Sequence, residues 1–476
     1  MKDNLEEYHS SGLIKRLGLF SAISLVIGAV IGSGIFKKIA PMSEELMSPV
    51  MILLAWFVAG IISLFGSLSN AELAGLIAEP GGPYAYFNRI FGRLWGFLYG
   101  WTSFSVIQSA TIASVGYIFS QSLNTLVPLP RLSPELEQFT IGGIFYPLDN
   151  FGVKIATVAL IALLTSINYR GVKYGSLITK IFASAVITGM IFIILVSLFS
   201  DKGSWLNFQT NEAIFNSKHT SDASLFSAFF TAMLSAFWAY EGWNNLAFVS
   251  GEVKNPHKNI PLGLVTGLMI IITIYMAVNF VFIYIVPVEQ FAALSKDENL
   301  IAGVYVIDKI LGPIGLIVIS VLIMVATFGT TNNTILGASR VYFAMAFDKL
   351  FFKKIGHVHP VYRTPSNALI LQGIWASMLV FSGSFDQLTD MLIFAAFIFY
   401  GSMALGVFIL RIKMKLSSPI KWSGYPIIPA IYILFCLVLV TISLIERPRE
   451  CIIGLVLILA GLPFYFYWNK SSGKTS

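Results

Sequence analysis

Residues 17–39 of this 476-residue chain read LGLFSAISLVIGAVIGSGIFKKI, an apolar stretch interrupted near its middle by Gly32-Ser33-Gly34. The stretch is long enough to cross the roughly 30 Å hydrocarbon core of a membrane as an α-helix. Two glycines that flank a serine weaken a helix and leave backbone donors and acceptors unpaired. A second interpretation is close helix packing through Gly28 and Gly32, a spacing that is common where membrane helices touch.

The composition of the whole chain is that of a membrane protein. Charged residues make up 12% and hydrophobic residues 56% of the chain, whereas soluble domains carry roughly 25% charged residues. A soluble particle of this size cannot hide so much apolar side chain from water. A soluble enzyme, a disordered scaffold and a disulfide-stapled secreted protein are therefore excluded. The net charge of +7 comes from basic residues spread among loops, so no nucleic-acid partner is predicted.

Twelve apolar stretches are long enough to span a membrane. We predict an all-α membrane protein, because lipid cannot satisfy an open backbone and the stretches lack the alternation of a barrel. The predicted spans cover residues 17–39, 48–74, 93–122, 151–169, 174–199, 223–250, 261–286, 313–346, 366–382, 388–411, 425–444 and 451–468.

Lysine and arginine predict the orientation. With both termini in the cytoplasm, 21 of the 31 basic residues lie on the inner side, and an excess of Lys and Arg marks cytoplasmic segments. We predict a multi-pass protein of the plasma membrane, or of the inner membrane if the source is bacterial. Residues 1–16 and 469–476 are predicted cytoplasmic tails, and the first span is predicted to stay uncleaved.

A second interruption lies in the sixth predicted span, where residues 237–245 read FWAYEGWNN. A charge at the bilayer centre costs roughly 2.5–3.5 kcal/mol on insertion scales, so such residues usually line a cavity or find partners. Glu241 is therefore a candidate functional residue. The alternative is a Glu241 that bonds neighbouring backbone or stays protonated.

The two interruptions occupy matching positions in two halves of the chain. Broken spans at corresponding positions indicate an inverted-repeat transporter. We predict a first repeat over residues 17–200 and a second over residues 201–412, followed by two extra C-terminal spans within residues 413–468. In such a site, half-helix N-termini face a carboxylate and freed carbonyls accept from an ammonium. An α-amino acid carries both groups.

Four strings in order then identify a family. They are Gly32-Ser33-Gly34-Ile35-Phe36; Ala71-Glu72-Leu73 with Pro80-Gly81-Gly82-Pro83-Tyr84-Ala85-Tyr86 and Phe91-Gly92; Trp238-Ala239-Tyr240-Glu241-Gly242-Trp243-Asn244 with Glu252 and Asn255-Pro256; and Ser339-Arg340 with Pro365. Over nearly its whole length the chain resembles the amino acid–polyamine–organocation transporters, in their L-type amino acid transporter-like branch. The resemblance implies a leucine-transporter-like fold of five plus five inverted spans, and secondary active transport of α-amino acids by alternating access. The alternative within the family is an amine, polyamine or cationic amino-acid permease.

The resemblance also implies a substrate site. Unwound backbone of the first span would hold the carboxylate and the amine, Trp238 would cover the substrate as an aromatic gate, and Ala239 and Glu241 would line the side-chain pocket. A packing tryptophan is the alternative for Trp238. The implied substrate-binding residues are Val30, Ile31, Gly32, Ser33, Gly34, Ile35, Trp238, Ala239, Glu241 and Asn244.

The protonation of Glu241 would decide the substrate. An ionised carboxylate would favour a cationic side chain, because opposite charges interact strongly where water is scarce. A protonated one would donate a hydrogen bond, which suits small neutral substrates and proton coupling. The sequence leaves both states open, and we favour a neutral substrate because Asn244 and Asn245 could pair with the carboxyl.

The sequence also leaves open whether transport is coupled to a cation. Many members of the family carry a lysine in span five where sodium-coupled relatives hold an ion, and the alignment places Val186 there. Span eight offers a candidate cation site at Thr330, Thr331 and Thr334, since hydroxyl oxygens suit a hard cation. Threonines in membrane helices more often bond their own backbone.

No cofactor and no metal site are predicted. The five histidines lie in tails or loops, which disfavours a membrane-embedded enzyme. No Gly-x-x-x-x-Gly-Lys-Ser/Thr loop occurs, which argues against direct coupling to ATP. A channel is disfavoured because aromatic side chains would occlude its pore. Animal light chains of this branch join a heavy chain through a cysteine after span three. Residues 123–150 contain no cysteine, so no disulfide-linked partner is expected. We expect amino acid and membrane lipid as ligands, and a monomer or weak homo-oligomer.

Overall fold

Continuous apolar stretches without β-branched alternation form helices here, as expected for a chain that must satisfy its backbone within lipid. The computed structural model describes residues 17–77, 81–142, 146–170, 175–250, 253–297, 300–383, 385–414 and 424–472. The predicted tail 1–16, the end of the C-terminal tail, Pro80 and Glu252 lie outside the described residues. Within those residues the chain is α-helical with short 3₁₀ turns, and no β-strand occurs.

The helices are labelled in chain order. They are α1 Leu19–Val30, α2 Gly34–Lys37, α3 Ile39–Leu46, α4 Pro49–Leu76, α5 Pro83–Phe91, α6 Arg93–Thr102, α7 Gln108–Leu126, α8 Pro134–Glu137, α9 Phe151–Tyr169, α10 Gly175–Leu198, α11 Glu212–Lys218, α12 Asp222–Tyr240, α13 Asn245–Phe248, α14 Pro256–Ile285, α15 Val288–Leu294, α16 Ala302–Leu311, α17 Pro313–Phe347, α18 Ser366–Val380, α19 Phe385–Met414, α20 Ile427–Glu446, α21 Pro448–Leu459 and α22 Gly461–Ser472.

Ten stretches of described helix are long and apolar enough to cross a membrane. The other two predicted spans differ in local structure. A π-helical turn, Ser103–Ile107, joins α6 to α7 within the third predicted span, and the ninth predicted span forms the 15-residue helix α18. A π-turn inserts one residue per turn and often lies beside a functional site.

The packing places the first and sixth predicted spans in the interior. In α1–α2 and in α12, most of the apolar window is buried, whereas α10, α20 and α21–α22 bury a third or less of theirs. The outer helices expose large apolar side chains, such as Ile191, Leu195, Leu434 and Leu437. Exposed apolar faces on the outer helices are the arrangement expected where lipid surrounds the protein.

Candidate functional site

The first span is broken at the point that the sequence predicts. Helix α1 ends at Val30, Ile31 adopts an extended backbone with φ −74° and ψ 92°, and α2 begins at Gly34. All residues from Val30 to Ile35 are buried. The break therefore presents peptide groups, rather than side chains alone, inside the protein.

The sixth span is broken in the same way. Helix α12 ends at Tyr240, and Glu241 is extended with φ −67° and ψ 147°. Gly242 then has φ +118°, a conformation that L side chains rarely adopt and that glycine tolerates. The short helix α13 resumes the span at Asn245.

The two breaks lie against each other. A Cβ atom placed on Gly34 would approach the Cα of Ala239 to 2.5 Å, and one placed on Gly242 would approach the carbonyl oxygen of Ala29 to 2.5 Å. Each glycine thus lets the backbone of one broken span touch the backbone of the other. The two interruptions that the sequence predicts therefore lie together and form a single site.

Tyr275 of α14 joins the two breaks. Its hydroxyl lies 3.1 Å from the carbonyl oxygen of Val30 and 2.9 Å from that of Ala239. Val30 is the last residue of α1 and Ala239 the second-last of α12, so both carbonyls lose helical partners at the breaks. Sequence analysis missed Tyr275, because a lone tyrosine in a uniformly apolar helix carries no signal of its partners.

A cavity of about 20 Å³ lies between the breaks, which is room for about one water molecule. It touches six predicted substrate residues, Val30, Gly32, Ser33, Gly34, Trp238 and Glu241. Ile31, Ile35, Ala239 and Asn244 do not line it. Its other lining residues are Gly242, Asn245, Thr330 and Thr334, which the sequence analysis named, and Ala29, Gln108, Thr111 and Val115, which it did not select.

Two buried polar atoms at this cavity have no partner among the described residues. They are the hydroxyl of Ser33 and the indole N–H of Trp238. Ser33 is 1% and Trp238 4% exposed. Buried polar groups are normally hydrogen-bonded, so these two are suited to a polar ligand.

Glu241 is held by a residue that the sequence did not single out. The hydroxyl of Tyr400 in α19 donates to its Oε1 at 2.6 Å. The Tyr400 ring packs on Trp243 with 5.3 Å between ring centroids. Asn244, which we expected to be able to pair with the carboxyl, accepts instead from Asn70 Nδ2 through its Oδ1 at 2.7 Å.

Span eight, α17, reaches the freed carbonyls of the first span. The Thr330 hydroxyl lies 3.3 Å from the oxygen of Gly28 and 3.2 Å from that of Ile31, and Asn333 Nδ2 donates to Gly28 at 3.2 Å. Thr334 donates to the backbone of Thr330 at 2.9 Å. Of the candidate cation residues, Thr330 and Thr334 also line the cavity.

Thr331 and Val186 complete this region. Thr331 is fully buried, does not line the cavity, and its hydroxyl has no partner among the described residues. Val186, on α10, is 4% exposed. Val186 is therefore a buried apolar side chain.

One end of the cavity is covered by an ion pair and three ring contacts. Lys38 Nζ lies 2.5 Å from Asp386 Oδ1 and 2.9 Å from the hydroxyl of Thr389. The ring of Phe385 lies beneath Lys37 and Lys38, 4.9 and 4.8 Å from the two ammonium groups, and its edge meets Trp238. We call this side the Lys38 end.

The same end carries a second pair. Arg447 Nη2 donates to Glu45 at 2.9 Å, and Arg447 Nε lies 3.7 Å from Asp390. Glu45 lies in α3 and Asp390 in α19. Two ion pairs thus hold the segment that follows the first break. Lys38 is bound to Asp386 of α19, and Glu45 of α3 is bound to Arg447, between α20 and α21.

The opposite side, which we call the Arg411 end, has its own closure. Arg411 of α19 holds Glu72 of α4 through two bonds of 2.6 and 2.9 Å, and Glu72 is 1% exposed. The Arg411 guanidinium also lies 4.1 Å over the ring of Tyr425. A bidentate pair of this kind is geometrically specific.

The fold and the site together define a membrane transporter built around two broken helices. The described residues contain no group of three or more His, Cys, Asp or Glu side chains suited to a metal. The family profile described as amino acid permease matches residues 17–458. The chain therefore belongs to the amino acid permease family, which confirms the resemblance, and it is an amino-acid transporter.

Three relatives illustrate the similarity. The serine/threonine exchanger SteT of Bacillus subtilis (strain 168) is 32% identical over 470 residues, which cover 97% of this chain and 98% of the relative. The b(0,+)-type amino acid transporter 1 of Mus musculus is 29% identical, over 97% of this chain and 89% of the relative. The large neutral amino acids transporter small subunit 2 of Mus musculus is 29% identical, over 96% and 82%.

Proposed function

We propose that the protein exchanges α-amino acids across the cell membrane by alternating access. The observation that carries this proposal is the meeting of the two broken spans at Gly34–Ala239 and Gly242–Ala29. Backbone breaks inside membrane helices are tolerated where they line a cavity or a substrate site. The name of the relative SteT, an exchanger, supports exchange.

The proposed fold has twelve spans, with inverted repeats over residues 17–200 and 201–412 and two further spans in residues 413–468. Both termini are proposed to lie in the cytoplasm, so that the Lys38 end faces outward. The matching breaks support the repeat, and the excess of basic residues on one side supports the orientation.

The proposed site divides the substrate between the two breaks. The N–H groups of Gly32, Ser33 and Gly34 receive the carboxylate, and carbonyls in the last turns of α1 and α12 accept from the ammonium. Ile31, Ile35, Ala239 and Asn244 shape the breaks rather than the cavity wall. Trp238 covers the substrate at the Lys38 end, where it already contacts Phe385.

Substrate binding must enlarge the site, because about 20 Å³ holds one water and not an amino acid. In the proposed cycle the broken halves separate at one end while the other end stays closed. The Lys38–Asp386 pair would open on one side and the Glu72–Arg411 pair on the other.

We propose small neutral substrates, with serine and threonine first. Glu241 lines the cavity, and Tyr400 fixes one of its oxygens. A side-chain hydroxyl of the substrate can donate to the carboxylate without bringing a second charge into the site. SteT is named for these two amino acids.

The second candidate is a cationic amino-acid permease, which the same carboxylate favours. Competition separates the two. Protein carrying Glu241→Gln is reconstituted in proteoliposomes and compared with the wild type for uptake of serine, threonine, alanine, leucine, lysine and arginine at two pH values. Selective loss of lysine and arginine uptake would support the second candidate, and selective loss of serine and threonine uptake the first.

Exchange is proposed to be independent of sodium. Thr330 and Asn333 donate hydrogen bonds to the Gly28 and Ile31 carbonyls, so these oxygens are already satisfied by neutral donors. Val186, at the position where the alignment places a lysine in many relatives, carries no charge. No disulfide-linked partner is proposed, since Cys436 and Cys451 are both buried within helices.

Sealed proteoliposomes test exchange and coupling together. Uptake of labelled serine is measured with and without unlabelled serine inside, in sodium or choline medium, and with or without a proton gradient. We expect uptake only with internal amino acid and no effect of either ion. Net uptake into empty vesicles that requires sodium or a proton gradient would refute exchange.

A further inference from the structure

A second cavity lies away from the substrate site, at the Lys38 end between α18, α19 and α21. Its volume is about 220 Å³, and its deep wall is formed by Trp375, Leu388, Met391, Ile453 and Leu457. Leu388 and Met391 are 6% and 5% exposed. The part of the wall formed by Leu388 and Met391 is thus buried within the protein, whereas Trp375, Ile453 and Leu457 are half-buried.

The cavity changes in character along its length. Arg449 and Glu450 stand at the start of α21 and Gln387 near the start of α19. Met391 lies one turn further into α19 than Gln387, and Leu457 lies about two turns further into α21 than Arg449 and Glu450. In α18, Trp375 lies more than one turn inside the helix end at Val380. A ligand that matches this gradient has a charged head at the helix ends and an apolar tail below.

The helices beside the cavity face lipid. On α18, Ile374 and Met378 are 56% and 58% exposed, and on α21, Ile452 and Val456 are 56% and 59% exposed. These side chains neighbour the cavity residues Trp375 and Ile453 in sequence. The cavity therefore adjoins the two faces along which acyl chains lie.

We propose that this cavity binds one acyl chain of a phospholipid. An apolar cavity excludes water and accepts an apolar guest; an engineered cavity of about 150 Å³ in another protein binds benzene. The surrounding solvent of these helices is itself acyl chain. Arg449 is placed to meet the phosphate and Glu450 the ammonium of a zwitterionic headgroup.

The proposed lipid would act on the Lys38 end of the transporter. Leu388 and Met391 face the cavity, whereas Asp386 and Asp390 of the same turns of α19 face Lys38 and Arg447. A chain in the cavity would support the back of the segment that carries both ion pairs. This inference depends on the cavity and its surroundings and not on the proposed substrate.

Photolabelling tests the proposal. The full-length protein is reconstituted with phosphatidylethanolamine that carries a diazirine on one acyl chain, irradiated, digested and mapped by mass spectrometry. We expect adducts on Leu388 or Met391, which bulk lipid at the surface does not reach. Adducts on the exposed Ile374, which neither variant below replaces, serve as an internal standard in every sample.

Two variants locate the chain. Leu457→Trp fills the cavity and should abolish the adducts on Met391 while those on Val456 persist. Val456→Trp, a substitution of the same size on the exposed face next to it, should leave the Met391 adducts unchanged. Wild-type protein labelled only at the exposed residues, or Met391 adducts that survive Leu457→Trp, would overturn the proposal.

Discussion

Gly34 shows how one residue sets the distance between the broken spans. A Cβ there would lie 2.5 Å from the Cα of Ala239, so any side chain must push the two backbones apart. Gly34→Leu is predicted to abolish uptake while the protein still inserts into the membrane. Gly18→Ala, at a glycine with no atom within 4 Å of the added Cβ, is the control. Unchanged transport by Gly34→Leu would remove the first break from the substrate site.

Tyr400 is predicted to tune the affinity for substrate through Glu241. Tyr400→Phe removes the 2.6 Å hydrogen bond to the carboxylate and keeps the ring on Trp243. A hydrogen bond contributes about 0.5–1.5 kcal/mol, so the KM for serine should rise by roughly two- to tenfold, because the Glu241 side chain is no longer fixed. Because both residues act on one group, Tyr400→Phe and Glu241→Gln should be non-additive.

The control for this prediction is Tyr305→Phe, since Tyr305 is exposed and makes a long 3.4 Å bond to Gln290. Equal KM values for Tyr400→Phe and Tyr305→Phe would show that the bond to Glu241 does not affect substrate binding. Additive effects of Tyr400→Phe and Glu241→Gln would show that the two residues act separately.

At the scale of elements, α17 holds the broken first span from the side. The Thr330 hydroxyl is placed to donate to the Ile31 carbonyl, whereas Thr327 donates only within its own helix, to Ile323 and Met324. Thr330→Val leaves a buried carbonyl unpaired, which costs about 1–3 kcal/mol. We predict slower exchange for Thr330→Val and near wild-type exchange for Thr327→Val, measured in the same proteoliposomes. Equal rates would contradict a role for this contact.

The sequence predicted the elements whose signals are local. Glycines and Glu241 inside apolar stretches revealed both breaks, and the positions of α4 and α9 follow from length and hydropathy. The sequence analysis missed the π-turn in Ser103–Ile107 and the shortness of α18. The same apolar stretch is compatible with an α-helix, with a π-turn and with a shorter helix. Tyr275, Tyr400 and Gln108 were missed because helices that are apolar on all sides do not show which face meets the site.

At the scale of the whole molecule, α19 is the unbroken element that touches both closures. Asp386 near its start meets Lys38, Tyr400 near its middle meets Glu241, and Arg411 near its other end meets Glu72. A straight helix of this length spans about 45 Å, comparable to a bilayer with its headgroups. The broken spans can therefore move at either end against one continuous reference helix.

The Lys38 end is predicted to open more often when its ion pair is removed on the lysine side. Lys38 is buried at 1% side-chain exposure while Asp386 is 39% exposed, so Lys38→Met leaves behind a carboxylate that water can reach. Asp386→Asn would instead leave the buried Lys38 ammonium without an opposite charge, which destabilises the folded protein more. For Lys38→Met we expect a shift of about 1–2 kcal/mol, or roughly 5–30-fold, toward the open form.

The measurement is the rate at which an impermeant thiol reagent, added from the Lys38 side, modifies Thr111→Cys in protein whose Cys436 and Cys451 are replaced by alanine. Lys202→Met, which removes an exposed pair with Asp201, is the matched control, and an equal rate in the two variants would rule out the Lys38–Asp386 pair as a closure.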